Sequence, residues 1–275
     1  MADSLRLRVL TALVLAPLAI AGVLLLSTPW LAIGLGLVCL LGVLEWTRLI
    51  GLRGALAPLL LVATAAAAMA AIWLSRGQQS LVWATWIGVA WWPLAGLWLG
   101  NYAFCEAAHA RNHAIKAIAG LLVVVPAWAA AVALHGQADR GQGWLLFVVL
   151  LVWCADVCAY FAGRRFGRAK LAPRISPGKT RAGVYGALLG SAVFGLAGGA
   201  LLGARGAGLA MLTALALATV AVSIVGDLYE SLIKRHSQVK DSGAVFPGHG
   251  GVFDRFDSLF AALPVFAAGK LLLGI

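Results

Sequence analysis

Asp227, Glu230, Ser231 and Lys234 are spaced i, i+3, i+4 and i+7, so a helix puts all four on one face. Such a stripe of acid, hydroxyl and base can hold a hydrated cation and an anion side by side. Downstream come Lys240-Asp241-Ser242-Gly243, then Pro247-Gly248-His249-Gly250-Gly251, then Asp254-Arg255-Phe256-Asp257. Glycines let backbone N–H groups approach a phosphate closely, and successive amides make an anion nest. Asp254 and Asp257 stand at i and i+3 at the start of a helix. Carboxylates hold Mg²⁺ while Lys and Arg hold phosphate oxygens, so the mixture suits a metal–nucleotide. A polar inter-helix loop anchored by interfacial charges would have a similar composition.

A second polar loop reads Gly163-Arg164-Arg165-Phe166-Gly167-Arg168 and then Ile175-Ser176-Pro177-Gly178-Lys179-Thr180. The Gly-Lys-Thr invites a P-loop reading, which fails. Pro173 stands where the earlier glycine of GxxxxGK[ST] belongs, and the segment follows an apolar span instead of a strand. What survives is a looser phosphate contact from Ser176, Lys179 and Thr180 just before a helix N-terminus. A basic loop on the positive side of a membrane would look the same.

The elements that position these residues are membrane helices. The chain has 275 residues, 62% hydrophobic and 11% charged, with a mean hydropathy of +0.95. A soluble domain carries roughly 45–50% apolar and about 25% charged residues. A water-soluble enzyme, a disordered tail and a disulfide scaffold are therefore excluded. A span needs roughly 20 apolar residues. Nine are read, over 9–27, 30–50, 55–75, 81–103, 115–134, 144–163, 183–202, 207–225 and 257–275. The expected fold is an all-α polytopic membrane protein, a bundle of about nine transmembrane helices with a polar active site on the cytoplasmic face. Residues 1–140 form an N-terminal helical part of about five spans. Residues 141–275 form a catalytic part carrying the loops 164–182 and 226–256. The eighth span is expected to run on as a helix into 226–236. The first, although preceded by Arg6 and Arg8, has a longer apolar run than a signal peptide and reads as an uncleaved helix.

Charge sets the orientation. With the N-terminus in the cytoplasm, only Arg76, Arg140, Arg205 and Lys270 of the 21 Lys and Arg fall on the far side. That asymmetry is the positive-inside pattern, and it puts both polar loops in the cytoplasm. The net charge of +11 is therefore a membrane signature and does not imply nucleic acid. Asp156 lies inside the sixth span and Asp227 ends the eighth. A mid-membrane Asp costs roughly 2.5–3.5 kcal/mol on insertion scales, so both are expected to face a wet interior with a partner. Glu45 and Arg48, at i and i+3, read as a pair within the second span. His109 and His113 read as interfacial, the eleven Trp as a belt near span ends, and the four Cys as apolar fillers. Gly186 and Gly190 form a GxxxG compatible with close helix packing.

The stretch from Ser231 to Asp257, SLIKRHSQVKDSGAVFPGHGGVFDRFD, resembles the signature of the phosphatidate cytidylyltransferases, or CDP-diacylglycerol synthases. The fixed positions Ser231, Lys234, Arg235, Lys240, Asp241, Gly243, Pro247, His249, Gly250, Gly251, Asp254, Arg255 and Asp257 are all met. The segments 226–231, 159–168 and 175–180 also resemble family elements, while the first 140 residues match mainly by hydropathy. Two positions depart from the family: Ala182 replaces an acid or amide, and Val157 a threonine. The resemblance implies the conversion of CTP and phosphatidate to CDP-diacylglycerol and pyrophosphate. It implies Mg²⁺, with a monovalent cation such as K⁺, on Asp227 and Asp254, with Asp156 and Asp257 as further candidates. Asp227, Asp254, Lys234 and Arg255 are the expected catalytic set. Arg235 and Lys240 are expected on phosphates, with Ser231, Gly250 and Gly251 at the substrate and His249 and Asp241 orienting groups. The expected setting is a homodimer among lipids of a bacterial inner membrane. A CTP-dependent lipid kinase, and a cation-coupled transporter with intramembrane acids as ion sites, are the alternatives that the residues leave open.

Overall fold

The computed structural model describes residues 2–75, 78–243, 245 and 250–274. The chain is an all-α polytopic membrane protein. Its helices are α1 (Ala2–Leu25), α2 (Thr28–Leu49), α3 (Leu56–Leu74), α4 (Gln78–Gly100), α5 (Ala110–His135), α6 (Gly141–Phe166), α7 (Arg181–Leu201), α8 (Gly206–His236) and α9 (Phe253–Leu273). Among the described residues, eight of them, α2 to α9, are long and apolar enough to cross a membrane. α1 covers most of the expected first span, 9–27, and its residues Leu13–Leu25 are an apolar helix among the described residues. α8 does run on past its apolar stretch to His236, and Gly203 to Arg205 make the tight turn between α7 and α8.

α5 and α9 run through the middle of the bundle, while α3 and α7 turn most of their surface outward. The helices approach closely where side chains vanish. A Cβ at Gly88 of α4 would lie 2.6 Å from Pro126 of α5 and 3.0 Å from Pro264 of α9. A Cβ on Gly186 of α7 would lie 2.8 Å from the Cys158 carbonyl of α6, and one on Gly190 would strike the Cys158 side chain. The GxxxG therefore packs α7 onto α6.

Six tryptophans are buried, namely Trp46, Trp91, Trp92, Trp98, Trp128 and Trp144, so the belt reading is corrected for these. Packing between helices uses them instead of the interface. Trp46 is wholly enclosed. It stacks on Phe253 at 4.9 Å and on Tyr229 at 6.2 Å, and its indole N–H donates to the Lys116 carbonyl at 2.8 Å. One residue of α2 thus touches α5, α8 and α9 and fixes their mutual positions.

The loop 164–182 is not irregular. It carries a small antiparallel hairpin, β1 (Lys170–Ala172) with β2 (Ser176–Thr180), pairing Lys170 with Thr180 and Ala172 with Ser176. The Thr180 hydroxyl caps α7 by accepting from the Gly183 N–H at 3.1 Å. Its side chain is wedged between Gly163 and Gly167, where a Cβ would lie 3.0 Å and 2.7 Å away respectively. The Arg235 Nε–H donates to the Ile175 carbonyl at 3.1 Å, and Arg174 lies over the Tyr102 ring at 4.5 Å. The hairpin is thereby braced at both ends.

Candidate active site

The stripe on α8 forms as the spacing predicts. Lys234 Nζ lies 2.7 Å from Glu230 and 2.7 Å from Asp254 Oδ1, and the Ser231 hydroxyl reaches Asp227 at 3.5 Å. Gly226 lets α8 touch α9 at this level, because a Cβ there would lie 2.7 Å from the Asp257 carbonyl. Asp227 and Asp257 thereby come within electrostatic reach of each other. From the hairpin, Lys179 forms an ion pair with Asp227. Asp156, on the exposed side of α6, lies within electrostatic reach of Asp227, Lys179 and Arg255. Two loops and three helices therefore converge on one group of charges.

Asp254 is the organiser of the glycine loop. Its Oδ2 accepts from the Ser242 N–H at 2.8 Å, the Ser242 hydroxyl at 2.9 Å and the Gly251 N–H at 2.8 Å, while Oδ1 takes Lys234. Gly250 has φ +82°, and a Cβ there would lie 2.6 Å from Asp254 Oδ2. The amide of Gly251 thus serves a carboxylate of the chain itself, the part that a phosphate takes in a nest.

Not every expected substrate contact gathers here. Arg235 braces the hairpin through Ile175, and Thr180 is buried as the α7 cap. Ser176 is half-buried in β2, while Lys240, Asp241 and Arg255 are exposed. His249 lies outside the described residues. Among the described residues, no three His, Cys, Asp or Glu side chains form a ready metal-binding group.

Glu45 was expected to pair with Arg48. It does not, because Glu45 is buried and Arg48 is exposed. Glu45 instead accepts from the Val252 N–H at 3.0 Å and the Phe253 N–H at 2.9 Å, and it lies 3.2 Å from the Ser242 hydroxyl, whose one proton it shares with the nearer Asp254. Sequence reasoning missed this residue as part of the site. The available signal was the one applied to Asp156, an acid inside an apolar span.

The Cytidylyltransferase family model matches residues 6–272, nearly the whole chain. The chain belongs to this family. It is 43% identical to the phosphatidate cytidylyltransferase of Pseudomonas aeruginosa over 264 residues, 96% of each chain. It is 37% identical to the phosphatidate cytidylyltransferase of Haemophilus influenzae over 283 residues, covering 96% of this chain and 97% of that one. A phosphatidate cytidylyltransferase of Brucella suis is 44% identical over 129 residues, 47% of each chain. The family match covers the N-terminal helices too, where Glu45 lies.

Proposed function

We propose that the chain is a membrane-embedded phosphatidate cytidylyltransferase, joining CTP and phosphatidate into CDP-diacylglycerol with release of pyrophosphate. The observation that carries the reading is the convergence of the signature residues Asp227, Lys234, Asp254, Arg255 and Asp257 at one end of α8 and α9, within a family match spanning residues 6–272. In the reaction, a phosphatidate phosphate oxygen attacks the α-phosphorus of CTP. The bond to the β-phosphate oxygen breaks, and pyrophosphate leaves. The attacking phosphate is already ionised near neutral pH, so the protein has to position two anions and offset their repulsion. Exposed Arg255 and Lys240 are the cations we assign to the triphosphate, with Lys179, which pairs with Asp227, as a third.

Asp227 and Asp257, backed by Asp156, offer the hard oxygens that Mg²⁺ takes. Lys179 against Asp227 supports the fit, since a cation already sits at that carboxylate. Asp254 would join a metal only by exchanging its contact with Lys234. Asp156 and Asp257 each lie within electrostatic reach of Asp227, and such a gathering of carboxylates suits bound cations, K⁺ included. When bound, Mg²⁺ would neutralise the triphosphate and stabilise the leaving pyrophosphate. The basic-residue asymmetry supports a cytoplasmic active site in a bacterial inner membrane.

The test is purified protein with phosphatidate and CTP labelled at the α-phosphorus. Label entering the lipid with release of unlabelled pyrophosphate is expected. Label remaining in CDP would identify a lipid kinase and overturn the reading.

A further inference from the structure

Glu45 belongs to α2, about two hundred residues away from the signature, yet its carboxylate is enclosed by it. The N–H groups of Val252 and Phe253 open α9, and a helix start leaves such donors without intrahelical partners. The residue at the N-cap, Val252, has no side chain able to serve them. Glu45 caps α9 from another helix, and its negative charge suits the positive end of the helix dipole. Among the described residues no cation forms an ion pair with it. Gly243 and Gly251 flank the carboxylate, and a Cβ at either position would collide with it. Two glycines of the signature are thus required by a residue outside the signature. The chain of contacts continues, because the Ser242 hydroxyl that lies 3.2 Å from Glu45 also lies 2.9 Å from Asp254.

We propose that Glu45 is a positioning residue for cytidylyl transfer. It fixes the start of α9 and, through Ser242, sets the angle at which Asp254 and the adjacent Arg255 meet the substrate. The inference rests on the role proposed above for Asp254.

The experiment is steady-state kinetics of the full chain in detergent–phosphatidate mixed micelles. Glu45→Gln keeps the shape but turns an amide NH₂ toward a backbone N–H. It is expected to lower kcat at least about tenfold while leaving KM for CTP within about threefold. Ser242→Ala acts through the same contact, so the double variant should lose clearly less than the product of the single losses. Wild-type kcat in Glu45→Gln, or losses that multiply in full, would overturn the proposal. If Glu45→Gln does not yield folded protein, Gly243→Ala serves instead. Its added methyl meets the carboxylate, and Glu45→Asp retracts that carboxylate by one methylene. Gly243→Ala/Glu45→Asp should therefore recover kcat at least about threefold over Gly243→Ala, and no recovery overturns the proposal. Asp254→Asn is measured in parallel. An active Asp254→Asn removes the reading of the site itself, whereas an inactive one beside a fully active Glu45→Gln removes the role of Glu45 alone.

Discussion

Lys234 and Asp254 meet at 2.7 Å between α8 and α9, with 12% and 5% of their side chains exposed. Glu230 completes the group from one turn earlier on α8, at 1% exposure. Removing the cation leaves two enclosed carboxylates facing each other. Losing one partner of a buried ion pair costs about 3–5 kcal/mol. Lys234→Met should therefore lower the melting temperature in detergent and abolish turnover. Adding Glu230→Gln should restore part of the melting temperature and none of the turnover. A Lys234→Met protein with wild-type stability would show that the pair is not structural.

Asp227 and Asp254 differ in how they are held, and their amides should differ accordingly. Asp227 is paired with Lys179 in a partly open setting, with side chains 30% and 24% exposed. Asp227→Asn should abolish turnover at any Mg²⁺ concentration with little change in melting temperature. Asp254→Asn should lose both, since its Oδ2 accepts three hydrogen bonds that an NH₂ group cannot accept. Activity assays across a Mg²⁺ series, with thermal unfolding of the same samples, separate the two patterns.

Arg255 is exposed beside Asp254 and within electrostatic reach of Asp156. Arg presents a planar fork, and Lys a point charge. A lost hydrogen bond to a charged group is worth roughly 1.5–3 kcal/mol. Arg255→Lys should therefore lower kcat/KM for CTP at least about tenfold, at unchanged protein yield. Equal kcat/KM in the two proteins would leave Arg255 only a charge to supply.

The hairpin offers a test of direction. Pro177 and Gly178, in β2, are exposed. A cysteine at Pro177, in a chain otherwise freed of cysteines, should resist a membrane-impermeant thiol reagent in sealed cells and react after lysis. Reaction in sealed cells would invert the orientation.

The span pattern was legible because hydropathy reports local composition, and local composition decides what can lie in lipid. The extension of α8 was legible because Asp227 to Lys234 keep helical spacing. The hairpin was not. It is held by Thr180 wedged between Gly163 and Gly167 and by Arg235 reaching Ile175, contacts that spacing does not encode. Trp46 and Trp92 were misassigned for a related reason. Position along a span says how deep a residue lies and leaves open whether it faces lipid or a neighbouring helix. Glu45 was misread because Arg48 was the nearest cation in sequence. Its partners lie far along the chain, and two of them are backbone amides, which carry no residue-type signal at all.

The separation between Glu45 and its amide partners, 207 residues to Val252 and 208 to Phe253, bears on how the protein is made. α2 enters the bilayer early in synthesis, and the donors that satisfy its acid emerge only with the last helix. For most of translation Glu45 is a carboxylate in an apolar segment without those donors. Nascent α2 therefore has to wait near the headgroups or beside water until α9 arrives. A chain stopped short of Val252 would leave that helix with its charge unanswered, an exposed flaw that quality-control proteases of the membrane can recognise.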